Sequence, residues 1–153
     1  MTSTETALTR WNQDWDRPTD RDWAQVLAGI PLFSGLGNRR LRELVRQSFV
    51  AEYTRGDVVL LAGERPDFLY VILSGSARVV GKPGARVMKD GEYFGELALL
   101  DGKPRSVSVV AAGELHVIKI PAPAFREAIE RDPEIAVRIM RELAQRLRRA
   151  ERS

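Results

Sequence analysis

Apolar positions change texture twice along this chain. Between Phe49 and Ile120 they come in short runs rich in Val, Ile, Leu, Phe and Tyr, each cut by a glycine-bearing turn: Arg55-Gly56-Asp57, Ala62-Gly63-Glu64, Ser74-Gly75-Ser76, Lys82-Pro83-Gly84 and Asp90-Gly91-Glu92. Phe68 to Leu73 is the strongest strand, and Ser106-Val107-Ser108-Val109 alternates as a strand with one polar face does. Short strands without intervening helices predict a barrel or sandwich rather than a parallel α/β sheet.

On either side the periodicity is helical. Trp11 and Trp15 are spaced to share a helical face in a polar arm that Pro18 interrupts. Thr19 caps a short helix with Trp23, Val26 and Leu27 inward, ending near Gly29 and Pro31. Asn38 caps a second, with Leu41, Leu44 and Val45 on its apolar side. After Pro121 the chain turns helical again, first from Ala124 to Glu130 and then, with Pro133 in the first turn, to the C-terminus. In that last helix Ala136, Met140, Leu143, Leu147 and Ala150 follow the 4-3-4-3 spacing of a two-helix contact. The seam fits either packing on the chain's own β-unit or contact with a second copy.

Composition narrows the chemistry. The 153 residues suffice for one domain with terminal arms, and 44% hydrophobic with 29% charged residues is the mixture of a folded, water-soluble protein. With no cysteine, disulfides, thiol nucleophiles and cysteine metal sites are excluded. The single histidine, His116, stands alone in a strand-like run, which argues against a multi-histidine metal enzyme of the cupin type. The net charge of +3 is uneven: residues 135–153 hold six arginines against Glu142 and Glu151. That basicity belongs to one terminal segment, a solvated helix face or a patch for an acidic partner. No export signal or membrane-length apolar run is seen, so a cytoplasmic protein without membrane attachment is expected.

One segment breaks the strand rhythm: Phe94-Gly95-Glu96-Leu97-Ala98-Leu99-Leu100-Asp101-Gly102-Lys103-Pro104-Arg105-Ser106. Leu97 to Leu100 favour a one-turn helix entered through Gly95, where the missing side chain permits a tight turn and close approach of a ligand. The free amides of that turn suit a phosphate oxygen, and Arg105 can close on it with a planar fork of donors. Glu96 has the wrong sign for phosphate and suits a sugar hydroxyl while pairing with an arginine. The bland alternative is a structural turn closed by a Glu96–Arg105 ion pair.

The run FGELALL, the PRS triplet and the separation of Glu96 from Arg105 resemble the phosphate-binding cassette of the cyclic nucleotide-binding domain family, and the likeness extends over roughly residues 30–150. It implies a mainly β fold with flanking helices: an eight-stranded β-roll with N-terminal helices and a C-terminal helix pair. The arm and first short helix would occupy residues 1–29 and the binding domain 30–153. Carried over by residue, it implies that Arg105 binds the cyclic phosphate and Glu96 the ribose 2′-hydroxyl. Gly95, Leu97 and Ala98 contribute backbone groups, and Ser106 lies close to phosphate or base. The ligand is a cyclic purine nucleotide, cyclic AMP favoured over cyclic GMP, although Ser106 does not decide between them. No catalytic residue, metal or cofactor is implied. Arg138, Met140 or Arg141 of the last helix are the expected cover for the base. The output is a change in contacts with a protein partner through the terminal helices, with Trp11, Trp15 and the last helix as exposed candidates and a homodimer through that helix as a further expectation. With the chain ending at Ser153, no recognition helix and no sequence-specific DNA binding are expected. A degenerate member acting as an interaction or dimerisation module, or a nucleotide sink, are the alternatives.

Overall fold

In a computed structural model, which describes residues 20–81 and 86–152, the helical and strand textures separate as the sequence pattern predicts. Helix α1 (Asp20–Ala28), a 3-10 turn (Pro31–Phe33) and α2 (Asn38–Arg46) precede strands β1 (Phe49–Tyr53), β2 (Val58–Leu60), β3 (Phe68–Val80), β4 (Val87–Met88) and β5 (Tyr93–Phe94). Then come the short α3 (Glu96–Asp101), β6 (Ser108–Pro121), α4 (Ala122–Arg131) and α5 (Glu134–Glu151). Trp11, Trp15, the Thr19 cap and the Lys82-Pro83-Gly84 turn lie outside the described residues.

All pairings are antiparallel, in the order β1-β6-β3-β4, with β2 also on β6 and β5 also on β3. The fold is the expected β-roll with flanking helices, but six strands, not eight, are described. The difference has a structural cause. Each long strand serves both halves of the roll: β6 pairs with β2 at Val109 and Val110 and with β1 from Leu115 to Lys119, while β3 pairs with β5 at Tyr70 and Val71 and with β4 at Ala77 and Arg78. Register shifts between Ile72 and Ser74 and between Gly75 and Ala77 mark the division.

The Ser74-Gly75-Ser76 turn is therefore a bulge inside β3. Gly75 has φ +98°, and a Cβ there would sit 2.0 Å from the Glu114 carbonyl oxygen, so the opposite strand needs glycine at this position. Helix α2 begins after Gly37 as N-cap, and Asn38 is its first residue rather than its cap.

Two apolar clusters flank the central strands. Leu69, Val71, Ile118 and Ile120 meet Leu27, Leu41, Leu44, Phe125, Ile135 and Ile139 of the helices. The opposite face, with Tyr70, Ile72, Leu115 and Val117, closes on Tyr53, Val59, Met88 and Phe94 inside the roll. Burial on both faces explains why Phe68–Leu73 reads as an unbroken apolar run. Val26, expected inward, is exposed, and Trp23, Ala24 and Leu27 make the buried face of α1. In α5 the buried stripe is Ile135 and Ile139, one position off the seam expected at Ala136 and Met140. Gly75→Ala should lower unfolding free energy by at least about 2 kcal/mol in urea titration, against a change within about 0.5 kcal/mol for Gly113→Ala, whose added methyl meets nothing.

Candidate functional site

Strand β5 delivers the chain to Gly95 at φ +90°, and α3 starts at once. An added Cβ at Gly95 would lie 2.8 Å from Arg105 Nη1 and 3.4 Å from the Phe68 carbonyl oxygen, so conformation and space both demand glycine. Arg105 is fixed at its backbone: Gly63 donates to its carbonyl at 2.7 Å, and its own amide donates to Glu64 at 2.9 Å. The side chain, 6% exposed, donates from Nη1 to the Gly95 carbonyl at 2.7 Å and from Nη2 to the Phe68 carbonyl at 2.6 Å. These two bonds hold the guanidinium plane and leave Nε and one hydrogen on each Nη without a hydrogen-bond partner among the described residues. Burial pulls its pKa below the usual arginine value, opposed by Tyr70 and by the Asp67, Glu64 and Glu96 charges.

Gly95, Glu96, Leu97, Ala98, Arg105 and Ser106 all line one cleft of about 300 Å³, within the range of small-molecule sites. Leu60, Val79, Met88 and Val109 make its apolar wall, with Arg86, Tyr93 and Arg146 as polar groups at its edge. Glu96 does not pair with Arg105. Its carboxylate, 3% exposed, accepts from Arg146 Nη1 of α5 at 2.8 Å, and Arg146 Nη2 donates to Glu142 at 2.6 Å. Tyr93 hydrogen-bonds Glu142 in turn, and Arg86 lies 3.8 Å from the same carboxylate and 3.3 Å from Glu92. Burial raises the Glu142 carboxyl, but the Tyr93 and Arg146 hydrogen bonds and the Arg146 and Arg86 charges more than offset it and hold the group below its ordinary value. Burial likewise opposes the Arg146 charge, yet its two carboxylates raise its pKa above the usual value. Arg146 Nε is buried without an acceptor among the described residues.

Sequence reasoning missed Arg146, and the three residues it expected over the base lie away from the cleft in this structure. Arg138 donates to the Leu32 carbonyl at 3.1 Å and shares a separate groove with Arg141, while Met140 is exposed; none of the three lines the cleft. The signal lay in the phase of α5: from Ile135 and Ile139 the inward stripe continues through Glu142 to Arg146. His116 is a strand histidine with partners, its Nδ1 3.0 Å from Ser74 Oγ and its Nε2 3.7 Å from Glu52. Its ligating atoms and those of Glu52 and Glu114 lie within 4.8 Å of one another, and none of the three residues lines the cleft. Among the described residues no helix is long and apolar enough to cross a membrane.

Arg146→Met leaves Glu96 buried without its cation, so unfolding free energy should fall by about 2 kcal/mol at neutral pH. The variant also takes from Glu142 the hydrogen bond and charge that help hold its carboxyl below its ordinary value, a contribution present above the ordinary carboxylate value and lost as pH falls through the lowered one. The difference between wild type and variant should thus shrink as pH falls below about 4, read by urea unfolding across pH.

A family model described as "Cyclic nucleotide-binding domain" matches residues 50–132. The chain is 32% identical over 131 residues to a "CRP-like cAMP-activated global transcriptional regulator" of Mycobacterium tuberculosis, covering 82% of this chain and 58% of that protein. It therefore spans less than two thirds of that relative's length. Among solved structures, the regulatory subunit of a cAMP-independent protein kinase A from Trypanosoma brucei superposes with a TM-score of 0.71 at 27% identity, over 82% of this chain and 46% of the other. The sensor domain of the transcriptional regulator DNR from Pseudomonas aeruginosa matches the fold with a TM-score of 0.72 at 20% identity, over 88% and 94%. The cleft built around Gly95 and Arg105 lies in a domain of the cyclic nucleotide-binding family, to which this chain belongs.

Proposed function

We propose that the cleft binds a cyclic purine nucleotide, cyclic AMP in preference to cyclic GMP, and that the domain acts as a regulatory sensor. The observation that carries this reading is the buried Arg105 guanidinium, fixed by two carbonyls with donors to spare at the edge of a cleft that also holds Glu96. A cyclic phosphodiester brings one negative charge, which one guanidinium and the amides that open α3 neutralise. In this reading Glu96 takes the ribose 2′-hydroxyl, Gly95, Leu97 and Ala98 present backbone groups, and Ser106 stands beside phosphate or base. The preference for cyclic AMP draws on the mycobacterial relative, described as cAMP-activated.

Signalling follows from the bridge between Glu96 and Arg146. A ribose hydroxyl at Glu96 competes with or joins the α5 arginine, so occupancy biases the position of α5 and its contacts with a protein partner. The outward residues Val137, Met140 and Leu147 of α5 offer an apolar face to a second copy. Sedimentation at micromolar concentration should show a dimer that Met140→Glu combined with Leu147→Glu converts to monomer.

The present engagement of Arg105 by carbonyls and of Glu96 by Arg146 also suits a second reading, a degenerate member that serves as an interaction or dimerisation module. Calorimetric titration separates the two. Binding predicts saturable heat with cyclic AMP, a weaker response to cyclic GMP, and a loss of affinity in Arg105→Gln of about tenfold to 150-fold, equivalent to about 1.5 to 3 kcal/mol. Absence of heat from both nucleotides at submillimolar concentration favours the degenerate module.

A further inference from the structure

A buried charge outside the cleft is left over by this account. Residues paired across strands share a sheet face, and the register places Phe49 of β1, Lys119 of β6, Tyr70 of β3 and Phe94 of β5 in one row that ends next to Gly95. Lys119 is 2% exposed. Its Nζ lies 4.2 Å from the centroid of the Phe68 ring and 5.7 Å from that of Tyr70, and it makes no ion pair with a carboxylate among the described residues. A buried ammonium without a contacting anion is costly, and aromatic faces compensate only part of that cost.

The Tyr70 ring also faces Arg105, which lines the cleft. Arg105 Cζ lies 5.8 Å from the Tyr70 centroid, and the Phe68 residue whose ring underlies Lys119 supplies the carbonyl that accepts from Arg105 Nη2. At 5.8 and 5.7 Å from one centroid, the two cationic centres are no more than about 12 Å apart, and both belong to buried residues, where a charge is screened less than in water. The charged groups around them are shared: Asp67 and Glu64 attract both Lys119 and Arg105, and Glu96 attracts Arg105. The other row members on β1 and β5, Phe49 and Phe94, are uncharged, and the Tyr70 phenol, raised by burial first and by Tyr53 next, stays protonated.

We propose that Lys119 is a second, buried cation of the anion site, a positioning residue whose charge reaches the ligand phosphate through the Phe68–Tyr70 wall it shares with Arg105, so that anion binding and Lys119 protonation reinforce each other. This rests on the reading of the cleft as a nucleotide site. Burial lowers the Lys119 pKa from 10.5 to about 8, opposed by Asp67 and Glu64, so its charge is lost within a range where neither Arg105 nor a cyclic phosphodiester titrates. The sign follows directly. Protonated Lys119 attracts the anion, so affinity is full below pH 8 and falls as pH rises through it; reciprocally, a bound anion raises the Lys119 pKa and draws a proton from solvent.

The test is titration calorimetry with cyclic AMP at pH 7, 8 and 9, in buffers of differing ionisation enthalpy, on wild type and Lys119→Met. Wild-type affinity should fall about fivefold between pH 7 and pH 9, with proton uptake on binding near pH 8. Lys119→Met should bind several-fold more weakly at pH 7, with an affinity that no longer changes with pH. Should that variant not fold, Phe68→Leu removes the ring beneath the ammonium but keeps the carbonyl that holds Arg105, and should move the wild-type pH profile toward lower pH. Binding by wild type and Lys119→Met with the same affinity and the same flat profile overturns the inference while leaving the nucleotide site intact. An absence of heat from wild type at every pH overturns both.

Discussion

The arrangement at the cleft depends on a buried guanidinium held by backbone carbonyls. Arg105 has few alternatives: its amide and carbonyl are paired with the Gly63-Glu64 turn, and its side chain is clamped between Gly95 at the end of β5 and Phe68 at the start of β3. Carbonyl oxygens orient a cation without neutralising it. A carboxylate at the same place would have satisfied the charge and left little reason for an anion to bind, and Glu96 is instead drawn away to Arg146. The roll exists, in this sense, to bring three backbone segments far apart in sequence around one side chain.

That separation of charges ties the cleft to the last helix. Glu96 belongs to α3, Arg146 and Glu142 to α5, Tyr93 to β5, and the chain of contacts runs from the cleft wall to the helix surface without a gap. A network with an acceptor at one end and a helix at the other is the kind of element whose two arrangements a ligand can bias. The buried Arg146 Nε, which has no acceptor among the described residues, marks the point where an incoming oxygen would complete it.

Much of this was legible in the chain itself. The glycine-punctuated apolar runs specify the roll because alternation and turn chemistry are local properties, and the Gly95-Glu96 to Arg105-Ser106 segment carries its own geometry within a short stretch. What was not legible depends on contacts distant in sequence. Glycine between serines at 74–76 looks like a reversal, whereas the bulge is dictated by Glu114 on the opposite strand. The partner of Glu96 lies 50 residues away on a helix whose phase is fixed by Ile135 and Ile139 packing under the sheet; a shift of one residue exchanged Met140 for Ile139 and hid Arg146. Lys119, in a strand with apolar neighbours on both sides, gives no hint in sequence that its ammonium lies over Phe68.

The most direct measurement is a crystal structure of the protein grown with saturating cyclic AMP. The account predicts nucleotide density in the Gly95–Arg105 cleft, with phosphate oxygens about 3 Å from Arg105 nitrogens and the ribose hydroxyl on Glu96. A cleft without nucleotide under those conditions, with Arg105 still donating only to the Gly95 and Phe68 carbonyls and Glu96 only to Arg146, would contradict it.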